Sequence, residues 1–291
     1  MIDQPLPDID AWISFFGQAD LPVLRHSVNE LARLGQDADN TNGRVLAGAI
    51  LQDPLLTLRV LAYIEKHRRQ RQSTDITTID RAIMMIGITP FFRDFQNLPV
   101  VEDRLKPHPQ ALLGLLKTVA RARRSAHWAH DWAMQRRDMD VDEIMLATLL
   151  HDVAELMIWI FAPTLALQFR NAQIAQPNQR SAILQEEIYG VPLYQLKLAL
   201  TEAWRLPSLL ALLLDDRQAE NPRVRNVKLA VDLARHTANG WTDPALPDDF
   251  KGIRDLLRIN QETLVRRLDV DEATAQRLLA MPEPGPDEAM I

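Results

Sequence analysis

Residues 144–160 read IMLATLLHDVAELMIWI, and this stretch decides how the rest of the chain is interpreted. It is strongly apolar without the alternation of a β-strand, so it predicts a buried helix. His151 and Asp152 lie in its middle. Burying an imidazole and a carboxylate is costly unless they are paired or bind a metal. The stretch therefore predicts either a site for a divalent cation such as Mn²⁺, Fe²⁺ or Mg²⁺, or a hydrogen-bonded pair that joins two helices.

The composition predicts helices throughout the chain of 291 residues. It contains 43 Leu and 33 Ala, against 48 Val, Ile and Thr together, and 10 Gly. Leu and Ala favour helices, whereas β-branched residues favour strands. Helix starts are indicated by a capping residue followed by proline, and helix ends by glycine after an apolar run. These signals are Asp53-Pro54, Thr89-Pro90 and Asn221-Pro222 for starts, and Gly87, Gly190 and Gly240 for ends. We predict an all-α fold.

Charge and composition also exclude several classes of protein. The net charge is −6, which disfavours a protein that binds nucleic acid over its whole surface. Cysteine is absent, which excludes disulfides, zinc–thiolate sites, iron–sulfur clusters and cysteine nucleophiles. The sequence has no glycine-rich phosphate loop, no G-x-S-x-G motif and no apolar run long enough to span a bilayer. The N-terminus lacks the features of a signal peptide, so we expect a cytoplasmic protein without a membrane partner.

Two turn-rich stretches suggest the domain boundaries. The first contains Pro99, Pro107 and Pro109, and the second reads GWTDPALPDD from Gly240. They predict an N-terminal helical bundle at 1–100, a second bundle at 101–240 and short C-terminal helices at 241–281. The last residues, 282–291, read PEPGPDEAMI and predict a flexible tail.

Several motifs follow one another in the order found in a known family. Residues 21–61 begin with LP and contain ILQDP before a Leu-rich segment, residues 78–87 read TIDRAIMMIG, and residues 186–207 end in LTEAWRLP. Together with LLHDVAELM they resemble the HDOD family, the HD-related output domain of the HD phosphohydrolase superfamily. The resemblance implies an N-terminal helical bundle packed against an HD-like bundle.

The same resemblance implies positions for a metal site. In the HD superfamily a His on an earlier helix, a His-Asp pair and a distal Asp bind the metal. His151 and Asp152 match the pair, and Asp232 matches the distal Asp. The first His is replaced by Arg124, whose positive charge would repel a cation or replace it by pairing with Asp152 or Asp232.

Other positions leave the metal question open at this stage. His127 and His130 follow Arg124 on the same predicted helix, Leu193 stands where many relatives carry a His, and Asp215-Asp216 stand where many carry a His pair. The sequence alone does not decide whether His127, His130, Asp215 or Asp216 restores a metal site. We expect no catalytic residue and no bound cofactor.

Two local basic runs are candidates for contacts with phosphate or with a partner. They are KHRRQR at 66–71 and RARR at 121–124. Both also fit a solvated surface, given the negative net charge. The candidate binding residues are Lys66, Arg68, Arg69, Arg121, Arg123 and Arg124.

The HDOD resemblance implies a bacterial signalling module without enzymatic activity, whose bundle holds other signalling proteins. A nucleotide is a further candidate ligand, and nucleic acid is disfavoured. The alternative is a metal-dependent phosphohydrolase that acts on a nucleotide or cyclic dinucleotide and carries a divalent metal. A complete set of metal ligands would favour the enzyme, and an arginine in the pocket would favour the module.

Overall fold

The computed structural model describes residues 1–37, 40–67, 76–177 and 179–281 of the chain. Within these residues every regular element is helical, and the β-type contact is an isolated bridge between Val23 and Val100. The predicted all-α fold is confirmed. The tail predicted at 282–291 lies outside the described residues.

Helices follow one another along the chain with short connections. In the first half they are α1 (Ile9–Gln18), α2 (Arg25–Gln36), α3 (Gly43–Ile50), α4 (Pro54–His67), α5 (Ile79–Ile86), α6 (Ile88–Asp94), α7 (Val101–Arg104), α8 (Pro109–Arg136) and α9 (Val141–Leu150). In the second half they are α10 (Val153–Phe161), α11 (Pro163–Ala175), α12 (Ser181–Tyr189), α13 (Leu193–Ala203), α14 (Ser208–Leu213), α15 (Pro222–His236), α16 (Leu246–Leu257), α17 (Gln261–Arg267) and α18 (Glu272–Leu279), with a 3₁₀ turn at Asp216–Gln218 before α15.

The chain forms two compact units that interleave in sequence. Unit 1 comprises Met1–Arg123 and Leu149–Ala211, and unit 2 comprises Arg124–Thr148 and the described residues from Leu212 onward. The segment boundaries predicted from the sequence, near residues 100 and 240, stay a prediction.

An aromatic cluster anchors the N-terminus in the core of unit 1. Trp12 and Phe16 on α1 are buried, with ring centroids 5.4 Å apart, and Phe16 lies 5.8 Å from Phe161 at the end of α10. The Ile2 amide donates to the Phe161 carbonyl at 2.7 Å. The residues before the first family-like motif are therefore part of the folded unit.

Asp53, in the QDP motif, is fully buried and joins two helices of unit 1. Its carboxylate accepts hydrogen bonds of 2.8 Å from the Leu24 amide, the Ser27 hydroxyl and the Leu55 amide. Burial raises the pKa of Asp53, and these hydrogen bonds oppose the rise. The motif thus ties the start of α4 to the start of α2.

Most of the helix-end signals are found where the sequence placed them. Gly87 ends α5 with φ 84°, and Gly190 ends α12 in the left-handed region. Pro54 and Pro222 begin helices as predicted. The start predicted at Thr89-Pro90 is wrong, because α6 already begins at Ile88, directly after the turn that Gly87 makes.

Unit 2 is held together by polar contacts as well as by apolar packing. Asn226 on α15 donates to the Ala129 carbonyl of α8 at 3.1 Å. Arg267 on α17 donates to both carboxylate oxygens of Asp131 at 2.9–3.0 Å. These bonds connect α15 and α17 to the C-terminal part of α8.

Candidate functional site

His151 and Asp152 form a two-residue turn, which corrects the single helix expected over 144–160. Helix α9 ends at Leu150 and α10 begins at Val153, with Asp152 in the capping position. Neighbouring side chains on an unbroken helix point about 100° apart. Here His151 Nδ1 lies 3.3 Å from Asp152 Oδ1, so the two side chains contact each other.

Arg121 on α8 binds the carboxylate of Asp152. Its Nε and Nη2 both donate to Oδ2, at 2.9 and 2.6 Å. The side chains of Arg121 and Asp152 are 17% and 16% exposed, so the ion pair is largely shielded from water. A guanidinium keeps its charge at any pH the folded protein meets, and it therefore acts as a permanent counter-ion.

Lys197 on α13 occupies the other side of the imidazole. Its Nζ lies 2.7 Å from His151 Nε2, and the lysine residue is only 3% exposed. The Asp152 carboxylate accepts the hydrogen bond from His151 Nδ1, and Nε2 faces the lysine nitrogen.

Glu155, one turn into α10, extends the network. Its Oε2 accepts from Arg121 Nη2 at 2.6 Å, and its Oε1 accepts from the Thr118 hydroxyl at 2.8 Å and from Trp159 Nε1 at 3.3 Å. Arg121 therefore bridges two carboxylates. We call Lys197, His151, Asp152, Arg121 and Glu155 the HD network.

The charges of the HD network balance at its centre. Burial alone would raise the pKa of Asp152, but the attraction of Arg121 and the hydrogen bonds from His151 and Arg121 hold that pKa well below its usual range. Burial would lower the pKa of Arg121, but Asp152 and Glu155 outweigh it and raise that pKa. Both groups therefore remain charged, each stabilised by the other.

The donors of the His-Asp pair do not fit a bound cation. The lysine nitrogen lies 2.7 Å from Nε2, where a metal bound to this atom would have to be, and Asp152 is neutralised by Arg121. In the part of the chain that the structure describes, no cluster of three or more His, Asp or Glu side chains could hold a metal ion. A divalent cation here would also be repelled by the Arg121 guanidinium.

The structure gives the two sequence-predicted arginines different surroundings. The sequence pointed to Arg124 as the partner of a carboxylate in the pocket. In the structure Arg121, one turn earlier on α8, holds Asp152. Arg124 belongs to unit 2, where it donates to the Ala234 carbonyl at 3.0 Å and the Thr237 hydroxyl at 2.9 Å. Its guanidinium also lies 5.2 Å from the Trp128 ring.

The other metal-site candidates of the sequence lie in unit 2. Asp232 pairs with Lys228 and Arg235, each at 2.5 Å. Asp215 accepts from Arg217 at 2.8 Å, and this hydrogen bond lowers its pKa. Asp216 begins the 3₁₀ turn, and along α8 His127 is exposed and His130 partly exposed.

The basic-run candidates are divided between surface and undescribed residues. Lys66 is exposed at the end of α4, whereas Arg68 and Arg69 lie outside the described residues. Arg123 is bonded to the Gln52 carbonyl in unit 1. Arg121 is committed to two carboxylates, which makes it part of the HD network.

Sequence reasoning missed the role of Lys197, although a signal was present. Lys197 shares one face of α13 with the buried residues Leu196, Leu200 and Thr201. A charged residue at a position of the apolar stripe indicates a buried ionic partner. Its position lies four residues after Leu193, the site of the expected His.

Unit 2 contains a second His–Asp pair that the sequence did not indicate. His236 at the end of α15 and Asp249 on α16 bring Nδ1 and Oδ2 to 2.6 Å, and both are largely buried. The hydrogen bond to Asp249 raises the pKa of His236, and burial opposes this rise. Burial raises the pKa of Asp249 in spite of the hydrogen bond from His236.

By length and composition, one described helical stretch could cross a membrane. It is Val141–Phe161, and 78% of its most apolar window is buried inside the protein. The pair Gly43–Ile50 and Pro54–His67 also passes when taken together, but it is bent by 119°. Such burial is typical of a core helix.

Comparison with known proteins identifies a family by sequence. The family model described as HDOD domain matches residues 21–218, which is more than half of the chain. A search of curated proteins gives no match. The matched residues include the HD network and end before α15.

Two solved structures illustrate the fold that this chain shares. The response regulator MmoQ from Methylococcus capsulatus str. Bath is 19% identical, with a TM-score of 0.64 over 88% of this chain and 100% of that one. A virulence factor from Campylobacter jejuni subsp. jejuni is 18% identical, with a TM-score of 0.65 over 94% of this chain and 96% of that one. At these identities the likeness shows a shared fold.

Proposed function

The chain belongs to the HDOD domain family, and from this premise we propose that it is a non-enzymatic regulatory module that holds other signalling proteins in the bacterial cytoplasm. In this proposal the HD network is a structural remnant of a hydrolytic metal site. The module requires no cofactor.

The observation that carries the proposal is the contact between Lys197 and His151. The Lys197 nitrogen, 2.7 Å from Nε2, occupies the position that a catalytic metal bound to this atom would need. Arg121 likewise donates a hydrogen bond to the Asp152 carboxylate, which a catalytic metal would also need. Arg121 thus supplies a fixed positive charge beside Asp152, and the Lys197 nitrogen occupies the other side of the imidazole.

The competing function, a metal-dependent phosphohydrolase, has less support. Activation of water at neutral pH needs a well-held cation with open coordination positions. In the HD network the side chains that could hold it are already in contact with Arg121 and Lys197. Nucleotide binding without turnover remains part of the proposal, with the exposed Lys66 as one cationic contact.

The names of similar proteins support a role in signalling. MmoQ is named a response regulator, and its chain is covered in full by the alignment with this one. A fold shared at this level of identity establishes no activity. The name of MmoQ nevertheless favours a search for a partner protein.

The decisive experiment combines metal analysis with hydrolysis assays on the full chain. Protein purified without chelator should contain no stoichiometric Mn, Fe, Ni or Zn. It should not hydrolyse cyclic di-GMP, ppGpp, dNTPs or p-nitrophenyl phosphate when Mn²⁺ or Mg²⁺ is supplied. The physical reason is that Lys197 and Arg121 already satisfy the two side chains that would hold the cation.

Matched variants separate a genuine activity from a contaminant. Metal-dependent turnover that disappears in both His151→Ala and Asp152→Ala, but persists in Asp103→Ala, would overturn the proposal and establish the phosphohydrolase. Asp103 is a suitable control because it pairs with Arg25 at the surface, with its side chain 66% exposed.

A further inference from the structure

Two Asn-Gly pairs occur in the chain, at 42–43 and 239–240, and the structure gives them different surroundings. Asn-Gly is the sequence in which an asparagine side chain reacts most readily with the backbone, because glycine has no Cβ atom to hinder the approach of its nitrogen. Every other asparagine in the chain is followed by a residue with a side chain. Since the chemistry of the two pairs is the same, a difference between their reaction rates would come mainly from the fold.

The reaction is an intramolecular attack that needs water as its one co-reactant. The backbone nitrogen of the glycine bonds to Cγ of the asparagine, the Cγ–Nδ2 bond breaks, and ammonia leaves with the amide proton of the glycine. Water then opens the cyclic imide at either of its two carbonyls. Opening at Cγ gives aspartate, and opening at the backbone carbonyl gives isoaspartate, in which the chain runs through the former side chain. Such an attack is fast only when the two reacting atoms can reach each other.

Asn42 is held away from this reaction by helix α3. It caps the helix, and its Oδ1 accepts a hydrogen bond of 3.0 Å from the Val45 amide. Gly43 is the first residue of α3, and a Cβ atom there would lie 3.7 Å from the Ile83 side chain. Attack by the Gly43 nitrogen requires the Asn42 side chain to leave the cap and the backbone to rotate at the start of the helix. Loss of the cap bond alone slows such a step by about fivefold.

Asn239 lies in the turn that follows α15, where the chain has room to rearrange. Asn239 and Gly240 are both exposed, and a Cβ atom at Gly240, whose φ is 117°, would meet no atom of the described residues within 4 Å. Asn239 is in neither cap position of the flanking helices, since Thr237 ends α15 and Ala245 precedes α16. Its side chain can therefore turn towards the Gly240 nitrogen without breaking a helix cap.

One backbone hydrogen bond opposes the attack at Asn239. The Gly240 amide donates to the Thr237 carbonyl at 3.2 Å, the long end of the usual range. This bond closes a single exposed turn beyond the end of α15, where local opening costs little. At Asn42 the attack must instead open the first turn of a helix that packs on α5.

We propose that Asn239 is a site of spontaneous deamidation in the folded protein, where it converts to aspartate and isoaspartate, and that Asn42 is protected by its helix cap. The ligand-like reactant is water alone, and no enzyme or cofactor takes part. The proposal goes beyond the proposed function and does not depend on it.

The products would change the connection between α15 and α16. Both place a carboxylate at position 239, three residues after His236, whose Nδ1 lies 2.6 Å from Asp249 Oδ2 on α16. Isoaspartate also lengthens the backbone of the turn by one carbon atom. The turn at 237–245 joins the two helices that this His–Asp pair connects. The modification would therefore act beside the pair.

The experiment follows both Asn-Gly pairs in the same purified full chain, held at mildly alkaline pH below its unfolding temperature. Trypsin separates them, since Asn42 falls in the peptide 34–44 and Asn239 in the peptide 236–251. Mass spectrometry measures the converted fraction of each asparagine, and fragmentation locates it. We expect Asn239 to convert at least about fivefold faster than Asn42. Both aspartate and isoaspartate should form at 239, because direct hydrolysis of the side chain gives aspartate alone.

Unfolding supplies the matched control. In urea both pairs lose the cap or the turn around them, so their rates should become similar. A sample digested at the start of the incubation corrects for conversion during digestion. Asn239→Gln should abolish the fast reaction, because attack on the longer side chain must close a larger ring, and it should leave the rate at Asn42 unchanged. Position 239 is exposed, so this variant should fold.

Three outcomes would overturn the proposal. The first is equal conversion of the two asparagines in the folded chain, and the second is faster conversion at Asn42. The third is an Asn239 that stays intact in the folded chain but converts readily in urea, which would show that the turn protects it. None of them involves metal content or hydrolysis of phosphate esters, so failure here is distinguishable from failure of the proposed function.

Discussion

The chain contains two His–Asp pairs, and their surroundings make them chemically different. His151 and Asp152 in unit 1 are adjacent in sequence and are bonded to Lys197 and Arg121. His236 and Asp249 in unit 2 come from consecutive helices and bond each other at 2.6 Å. The first pair lies within the residues that match the family model, and the second lies beyond them.

The difference lies in what balances the carboxylate. Asp152 faces a guanidinium that does not lose its proton, so its charge is balanced at every pH at which the protein is folded. Asp249 faces an imidazole, whose charge depends on pH near neutrality. The first pair should therefore contribute a large stabilisation whose main part, the ion pair of Asp152 with Arg121, does not depend on pH, and the second a smaller one that does.

The largest effect is expected for Asp152→Ala. The variant leaves Arg121 largely buried beside Glu155 and removes the acceptor of His151. Breaking a buried ion pair by removing one partner costs about 3–5 kcal/mol. We expect a loss near the lower end of that range, because the side chain is 16% exposed. Urea unfolding measures it.

A surface ion pair provides the control for this prediction. Asp103→Ala removes the partner of Arg25, at a site where both side chains are exposed. Exposed pairs contribute little, so the unfolding midpoint should stay close to wild type. If Asp152→Ala resembles Asp103→Ala, the HD network does not stabilise the fold.

Lys197→Met should be the next largest effect. Methionine keeps the length and apolar stem of the lysine but removes the donor to His151 Nε2. An unsatisfied buried acceptor costs about 1–3 kcal/mol, whereas loss of a buried ammonium removes a desolvation cost. We expect a net loss of about 1–2 kcal/mol by urea unfolding. A gain in stability would mean that the lysine is kept at the expense of stability.

Much of the fold was predictable from the sequence, because its signals are local. Leu and Ala content, Pro54 and Pro222 at helix starts, and Gly87 and Gly190 at helix ends each act within one turn of chain. The break of the helix at His151 was not predictable in this way. It depends on contacts that come from α8 and α13, which lie far from residue 151 in sequence.

The candidate site was predictable only in part, for the same reason. The pair itself is visible in the sequence, but the arginine that binds it is Arg121 and not the aligned position Arg124. Arg121 and Arg124 are three residues apart on α8, so they are neighbours on its surface and the sequence does not show which one faces Asp152. The burial of Lys197 could be predicted from its position in the apolar stripe of α13, but its contact with His151 could not.

The third prediction uses pH to distinguish the two pairs. The pKa of His236 is raised above its ordinary value of 6.5, mainly by the hydrogen bond to Asp249. The folded state then binds the proton more tightly than the unfolded chain. Its stabilisation is complete below pH 6.5 and is lost as pH rises through the raised pKa. The pKa of Asp249 is also raised above its ordinary value of 3.8, so the stability that it contributes likewise falls as pH rises, but over a lower pH range.

His236→Gln should therefore cost more at mildly acidic than at alkaline pH. We expect a loss of about 1 kcal/mol near pH 6 that shrinks towards pH 9, since the pair is only partly shielded from water. The loss in Asp152→Ala, measured in parallel, should change less across that range because Arg121 stays charged. A cost of His236→Gln that does not change with pH would contradict the distinction between the two pairs.

The smallest effect is expected for Glu155→Gln, at the edge of the HD network. Glu155 is 28% exposed and binds Arg121, Thr118 and Trp159. Glutamine can still accept from Thr118 and Trp159 through Oε1, but its amide nitrogen replaces the Oε2 that accepts from Arg121, whose charge Asp152 continues to neutralise. A partly exposed pair of this kind contributes about 0.5–1 kcal/mol, and salt screens part of it. We expect a loss of that size in urea unfolding, reduced at high salt. If the loss were as large as that of Asp152→Ala, the main stabilising residue of the network would be Arg121 and not the His-Asp pair. The difference from His236 and Asp249 would then be due to the arginine alone.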